Sequence, residues 1–247
     1  MNYHPAVLSE VSDPRMSKRY VHVNTMDVIK VMEDQGFEVV DQKVDRVRKF
    51  NPEFARHMVI LRNPNLGTSD GTFVPQALFT NSHNGRSTAD LRLGMYRFVC
   101  ANGLVVGDDY ARESIKHVGD LAKQVIDRIR EMSKQSQKVF SEIDKWKAID
   151  LSKERRLEFA KQAGILRFGE AKMQQYDVMD LLMPRRAEDD AGDLWSTYNI
   201  VQENASKGGL QGKNANGRRV RSKSLNSIGQ DLSFNSQLWK LATEFAE

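Results

Sequence analysis

Between Lys207 and Lys223 the chain carries six cations, Lys207, Lys213, Arg218, Arg219, Arg221 and Lys223, and no Asp or Glu. Cations spaced along a backbone rich in Gly, Asn and Ser can neutralise successive phosphates, and Gly lets main-chain N–H groups approach the oxygens. Setting these six aside leaves 31 basic against 33 acidic residues, so the positive charge is a local feature. Its chemistry is contact with a polyanion or an acidic protein; the plain alternative for such a run is a solvated loop. Sequence-tolerant binding of single strands also uses aromatic faces near positive charge. Phe73 and Phe79 are the candidates, with Tyr96 and Phe98 after them, against the ordinary use of such aromatics as core.

Other chemistry is fragmentary. Gly208, Gly209, Gly212-Lys213 and Gly217 invite comparison with a phosphate-binding loop, but Lys207 stands where the first Gly is needed and Asn214 where the magnesium-binding hydroxyl belongs. Asp41-Gln42-Lys43 is a fragment of the acid-x-Lys pattern of metal-dependent nucleases, with Asp27 or Asp34 as a second acid; a solvated pair is the simpler account. His4, His22, His57, His83 and His117 show no metal-ligand spacing, and Cys100 has no second cysteine. Cys100 with His83 as base is the remaining nucleophile arrangement, though a lone Cys in an apolar run is ordinarily a core residue. No catalytic residue, metal or cofactor is therefore expected.

The elements that must hold the basic segment come next. Residues 1–18 hold two prolines and no sustained period, which reads as a flexible arm. A short strand is expected at 20–23, and a helix capped by Asn24 or Thr25 carries Val28, Val31 and Met32 up to Gly36. Extended segments from 37, at 57–62 and at 72–80, separated by Asn-Pro and Gly-rich turns, predict a three-stranded antiparallel meander. Leu91, Met95, Phe98 and Val99 have helical spacing after Ser87 or Thr88, while the alternation of Leu91, Leu93 and Met95 leaves a strand open. Over 119–149 the period is helical, and about 45 Å of helix would brace a core or pack against another chain. Ser152 caps a further helix, Val178 to Met183 form a short apolar segment, and acids up to Asp193 open a helix with Leu194, Trp195 and Tyr198. The last helix carries Leu238, Trp239 and Phe245, so the basic segment lies between two helices.

A chain of 247 residues, 40% hydrophobic and 28% charged, can bury a substantial core. A single cysteine excludes an internal disulfide, the start lacks a secretory pattern, and no run approaches a membrane span. A cytoplasmic protein with no membrane role is expected. The expected class is α+β: an arm over 1–18, an α+β core over 19–110, and a helical portion over 111–247 bearing the basic loop.

Asn81-Ser82-His83-Asn84-Gly85 and the stretch from Arg97 to Leu104 resemble the phage/plasmid-like protein family of unknown function numbered nine-three-two. So do Leu166-Arg167-Phe168-Gly169-Glu170, Asp193-Leu194-Trp195, Gln202-Glu203-Asn204 and Gly208-Gly209-Leu210. The similarity covers about residues 20–245 and implies a gene of mobile elements, whose proteins often handle DNA or counter host defence. The family assigns no activity. The order helix, three strands, helix between Asn24 and Ala101 is also similar to the core of Rad52-like single-strand annealing proteins, which form rings around a basic groove. The expected function is a non-enzymatic protein that binds single-stranded DNA, in recombination or annealing, as a homo-oligomer. The alternatives are an anti-defence protein docking on an acidic host protein and a metal-dependent nuclease.

Overall fold

A computed structural model describes residues 2–47, 51–67, 73–97, 102–105, 112–115, 120–186, 189 and 191–247. It is a mixed α+β chain that divides into two compact units, residues 1–137 and 138–247. The sequence places the change from core to helical portion near 110.

The first unit is built on an antiparallel sheet. Strands β1 (Glu38–Val44), β2 (His57–Arg62) and β3 (Phe73–Asn81) form the expected meander. The sheet then continues through β4 (Asp90–Arg97), whose far edge pairs with both β5 (Asn102–Val105) and β6 (Arg112–Ser114), giving six strands among the described residues. The helix expected from Leu91 onward is thus corrected to a strand. Leu91 and Met95 are four apart and mimic a helical face, but Leu93 shares their burial, and the three sit opposite Phe79, Pro75 and Ala77 of β3. A period of two governs this segment because a neighbouring strand supplies the ladder.

The N-terminal segment differs from expectation as well. The 1–18 arm carries a short helix, α1 (Pro5–Leu8), whose Ala6 and Val7 are fully buried. Residues 20–23, expected as a strand, join no ladder among the described residues; the Tyr20 hydroxyl donates to the Ser82 carbonyl at 2.9 Å, and the Val23 carbonyl accepts from Asn81 Nδ2 at 2.9 Å. Side-chain hydrogen bonds thus hold both ends of this stretch. Helix α2 (Thr25–Glu33) follows, its N-cap Asn24 accepting from the Met26 N–H at 2.8 Å, with Val28, Ile29 and Met32 buried.

The long amphipathic helix is α3 (Leu121–Lys147), about 40 Å of it at ~1.5 Å per residue. The second unit takes its last ten residues and adds α4 (Lys153–Phe168), the one-turn α5 (Glu170–Met173), a 3-10 segment Val178–Leu182, α6 (Leu194–Lys207) and α7 (Ile228–Ala246). Asp193 caps α6, accepting from the Ser196 N–H at 2.7 Å, which gives the last acid of that cluster a structural job. The strands β7 (Gln211–Lys213) and β8 (Arg219–Arg221) lie between α6 and α7.

All three tryptophans meet in the core of this second unit. The Trp146 ring lies 4.5 Å from Trp239, 5.6 Å from Tyr198 and 6.2 Å from Trp195, and Trp195 stacks on Tyr198 at 10°. Burial pushes the Tyr198 hydroxyl far above its ordinary pKa. Trp146 is fully buried at the centre of the group. Trp146→Ala is expected to cost about 3–5 kcal/mol in urea unfolding monitored by far-UV circular dichroism. A loss below about 1 kcal/mol would contradict its central place.

Candidate nucleic-acid interface

The basic segment is a hairpin. β7 and β8 pair in antiparallel register, Gln211 opposite Arg221, Gly212 opposite Val220 and Lys213 opposite Arg219. Directly opposed residues share a face, so Gln211, Lys213, Arg219 and Arg221 project from one side of the ribbon. The turn is held by Asn214: its Oδ1 accepts from the N–H groups of Asn216 and Arg218, both at 3.0 Å. Gly217 closes it at φ 72°, a left-handed conformation that suits glycine. The sequence shows turn-forming residues here and no apolar alternation, so the hairpin reads as a loop until its pairing is seen.

Lys213, Arg218, Arg219, Arg221 and Lys223 are all exposed. Among the described residues none of the five forms an ion pair, and the one side-chain hydrogen bond in the set runs from Arg221 Nε to the Gly209 carbonyl at 3.3 Å. Lys207 differs. Its Nζ lies 2.5 Å from Glu203 Oε1, at the C-terminal end of α6, so its charge is engaged within the fold. The side chain of Phe73 lies outside the described residues, as do Phe98 and Cys100. Phe79 is fully buried in β3 between β2 and β4 and offers no ring face to a base, which corrects its reading as a stacking partner.

The short motifs that carry the family resemblance build the base of this hairpin. Gly208 and Gly209 have φ of 66° and 95°, and a Cβ on Gly208 would meet the Lys223 carbonyl carbon at 2.6 Å. Only glycine lets the outgoing and returning strands cross this closely. Arg167 spans the crossing: its Nε donates to the Ala205 carbonyl at 3.1 Å and its Nη2 to the Lys223 carbonyl at 2.8 Å. Burial lowers the Arg167 pKa, with Tyr176 and Asp231 opposing; an arginine stays charged regardless. Gln202, Glu203 and Asn204 each fasten α6 to a different neighbour. Gln202 donates to Asn235 of α7 at 2.8 Å, Glu203 takes Arg186 at 2.6 Å, and Asn204 donates to the carbonyls of Leu181 and Met183 at 3.0 and 2.9 Å. Arg186 also pairs with the buried Asp189 at 2.8 Å. Composition and spacing gave none of these supporting roles; the motif resemblance was the one signal that marked the residues.

Two other sequence candidates belong to the first unit. Asp41 and Lys43 lie exposed on the edge strand β1, and Asp27 and Asp34 are exposed at either end of α2. Among the described residues no three His, Cys, Asp or Glu gather to hold a metal ion. His83 is buried beside His22 and His57, with ring centroids 4.5 and 5.1 Å away, a cluster the scattered spacing concealed. His57 Nδ1 donates to the Ala55 carbonyl at 3.0 Å, so its Nε2 accepts from the Thr25 hydroxyl at 2.8 Å. A hydroxyl beside an oriented neutral imidazole is the arrangement of an activated nucleophile. Here both side chains have no exposed surface, and the pair instead ties the start of α2 to β2.

This cluster makes stability depend on pH. Burial, with the Ala55 carbonyl opposing and His4 adding, lowers the His57 pKa to about 4; burial and the neighbouring His57 and His22 lower that of His83 to about 3. The unfolded chain titrates near the ordinary ~6.5 and so binds protons first as pH falls. Their contribution is complete above about pH 6.5 and is lost as pH drops toward 4 and then 3. Urea midpoints measured between pH 7.5 and 4.5 are expected to fall, and His83→Gln should flatten the curve; equal slopes for both proteins would refute the assignment.

The hairpin base generates its own test. Arg167→Ala is expected to destabilise by about 1–3 kcal/mol, the range for a charged hydrogen-bonding group removed from two acceptors. Amide exchange across 209–223 should accelerate more than that in α4, while uniform acceleration would show that Arg167 supports the unit generally.

Comparison with known proteins agrees with the motif resemblance. Two proteins of Escherichia coli strain K12, UPF0380 protein YfjQ and UPF0380 protein YafZ, are 35% and 34% identical to the chain over 239 residues, covering 96% of it and 86% of each relative. Their names state no activity, and no solved structure matches. The family described as Domain of unknown function (DUF932) matches residues 14–239, and the chain belongs to that family.

Proposed function

We propose that this protein binds DNA without acting on it chemically, holding single strands by their phosphates along the β7–β8 ribbon. The observation that carries the reading is the set of five exposed cations, Lys213, Arg218, Arg219, Arg221 and Lys223, free of ion pairs among the described residues. Lys213 and Arg219 are direct cross-strand partners. Like charges in that relation destabilise a ribbon, so their placement favours a ligand that neutralises both. With Phe79 buried, the binding energy would come mainly from phosphate contacts and little from base stacking.

That mode has a measurable signature. Neutralising five phosphates predicts a log-log salt slope of roughly −3.5 on single strands and roughly −4.5 on a duplex. Fluorescence anisotropy with a labelled oligothymidine and a matched duplex, across salt concentrations, reads both. The double variant Arg219→Ala, Arg221→Ala should reduce the single-strand slope by about 1.4. Arg219→Ala alone, which removes the like-charge pairing with Lys213, should not lower stability. Absence of binding at low salt would end the proposal, and tighter binding to a poly-glutamate chain would move the ribbon to an acidic protein partner. A role in annealing additionally requires that the protein speed the pairing of complementary oligonucleotides. The helix that closed the Rad52-like order is strand β4, so that comparison no longer supports annealing.

A further inference from the structure

We infer that the outer edge of β8 is itself a phosphate-binding edge, on which the main-chain N–H groups of Arg219 and Arg221 donate to neighbouring phosphates of one strand. The inference rests on the DNA-binding reading and specifies how the strand is held.

The direction of these groups follows from the ribbon's bonding. In an antiparallel pair, opposed residues alternate between exchanging ladder bonds and facing outward. The Asn214 N–H donates to the Arg218 carbonyl at 3.0 Å near the turn, and the Ser222 N–H to the Leu210 carbonyl at 2.9 Å near the base. Gly212 and Val220, midway between, are therefore the bonded pair of the centre, and the flanking residues face out. β7 bears this out, because the Lys213 N–H turns outward to the Gln175 carbonyl at 2.9 Å and the Gln211 N–H to Asp180 Oδ2 at 3.3 Å. The outer edge of β7 is thus covered by the segment that includes Gln175 and Asp180. By the same alternation the N–H and carbonyl groups of Arg219 and Arg221 point away from β7, and among the described residues no acceptor meets either N–H.

An open edge needs an occupant, and its charge selects one. A second copy pairing antiparallel on this edge would set arginine against arginine, which is how natural edge strands resist self-association. An anion meets two donors of different kinds at each position, a main-chain N–H and the guanidinium of the same residue, with Arg218 and Lys223 flanking. Residues two apart on a strand are about 6.7 Å apart, close to the separation of adjacent phosphates in an extended single strand. Sheet edges with aligned N–H groups are recognised anion sites, and main-chain N–H donors are common phosphate ligands.

Paired substitutions separate the edge from the charge. Arg219→Ala removes the guanidinium; Arg219→Pro removes it together with the outward N–H, at a position where proline leaves the β7–β8 ladder intact. Both should lower the salt slope by about 0.7, and the Pro variant should bind oligothymidine about tenfold more weakly than the Ala variant. Arg221→Ala and Arg221→Pro repeat the comparison independently. In the unsubstituted protein, oligothymidine should slow amide exchange at Arg219 and Arg221. Equal affinity of Ala and Pro variants, or unchanged exchange at both amides while the oligonucleotide binds, overturns the edge inference and leaves the DNA reading standing. Failure of the unsubstituted protein to bind overturns both.

Discussion

One guanidinium organises the basic ribbon. Arg167, reaching from the last turn of α4, joins the Ala205 carbonyl near the end of α6 to the Lys223 carbonyl just after β8. It satisfies an acceptor that a helix end leaves open and fixes where the returning strand re-enters the helical packing. Glycine at 208 makes that re-entry sterically feasible. Without the crossing, the two strands would have no common base from which to present one face.

The surrounding contacts have the same purpose. Gln202, Glu203 and Asn204 are consecutive, yet they reach α7, Arg186 and the carbonyls around Val178–Leu182. A helix that makes three such contacts within one turn has little freedom to rotate, and the ribbon starts seven residues after Asn204. Glu203 is nearly buried and holds both Arg186 and Lys207, so breaking the group would strand a carboxylate or an arginine in a poorly solvated place. Rigidity at the base contrasts with the exposure of the five cations beyond it. The division matches a binding element set on a fixed scaffold.

What was legible in the sequence follows from the range of the interactions concerned. Helix ends at Asn24, Ser152 and Asp193 were readable because caps act within three residues. The 121–147 helix was readable because its period persists for many turns. The 90–97 strand was ambiguous because Leu91 and Met95 satisfy both periods, and only β3, a distant neighbour in tertiary terms, decides between them. Four other features depend on residues far apart in sequence and have no local signature: the meeting of His22, His57 and His83, the gathering of the three tryptophans, the burial of Phe79, and the Arg167 bridge. The charge of the basic segment was visible at once. Its hairpin form was hidden because the paired residues are mostly polar or glycine, so no apolar alternation marks them.

The Asn214 turn, beyond the close approach of Gly208 to Lys223, separates ribbon length from the helical scaffold. The crossing and the ties from Gln211 and Lys213 of β7 to Asp180 and Gln175 all lie on the scaffold side of the Asn214 turn, which is self-contained. Two residues added to each strand would keep the alternation in phase and extend the same charged face, without altering the docking of α6 against α7. The hairpin is in this sense a modular insert, whose reach along a ligand can change while the protein that carries it stays the same.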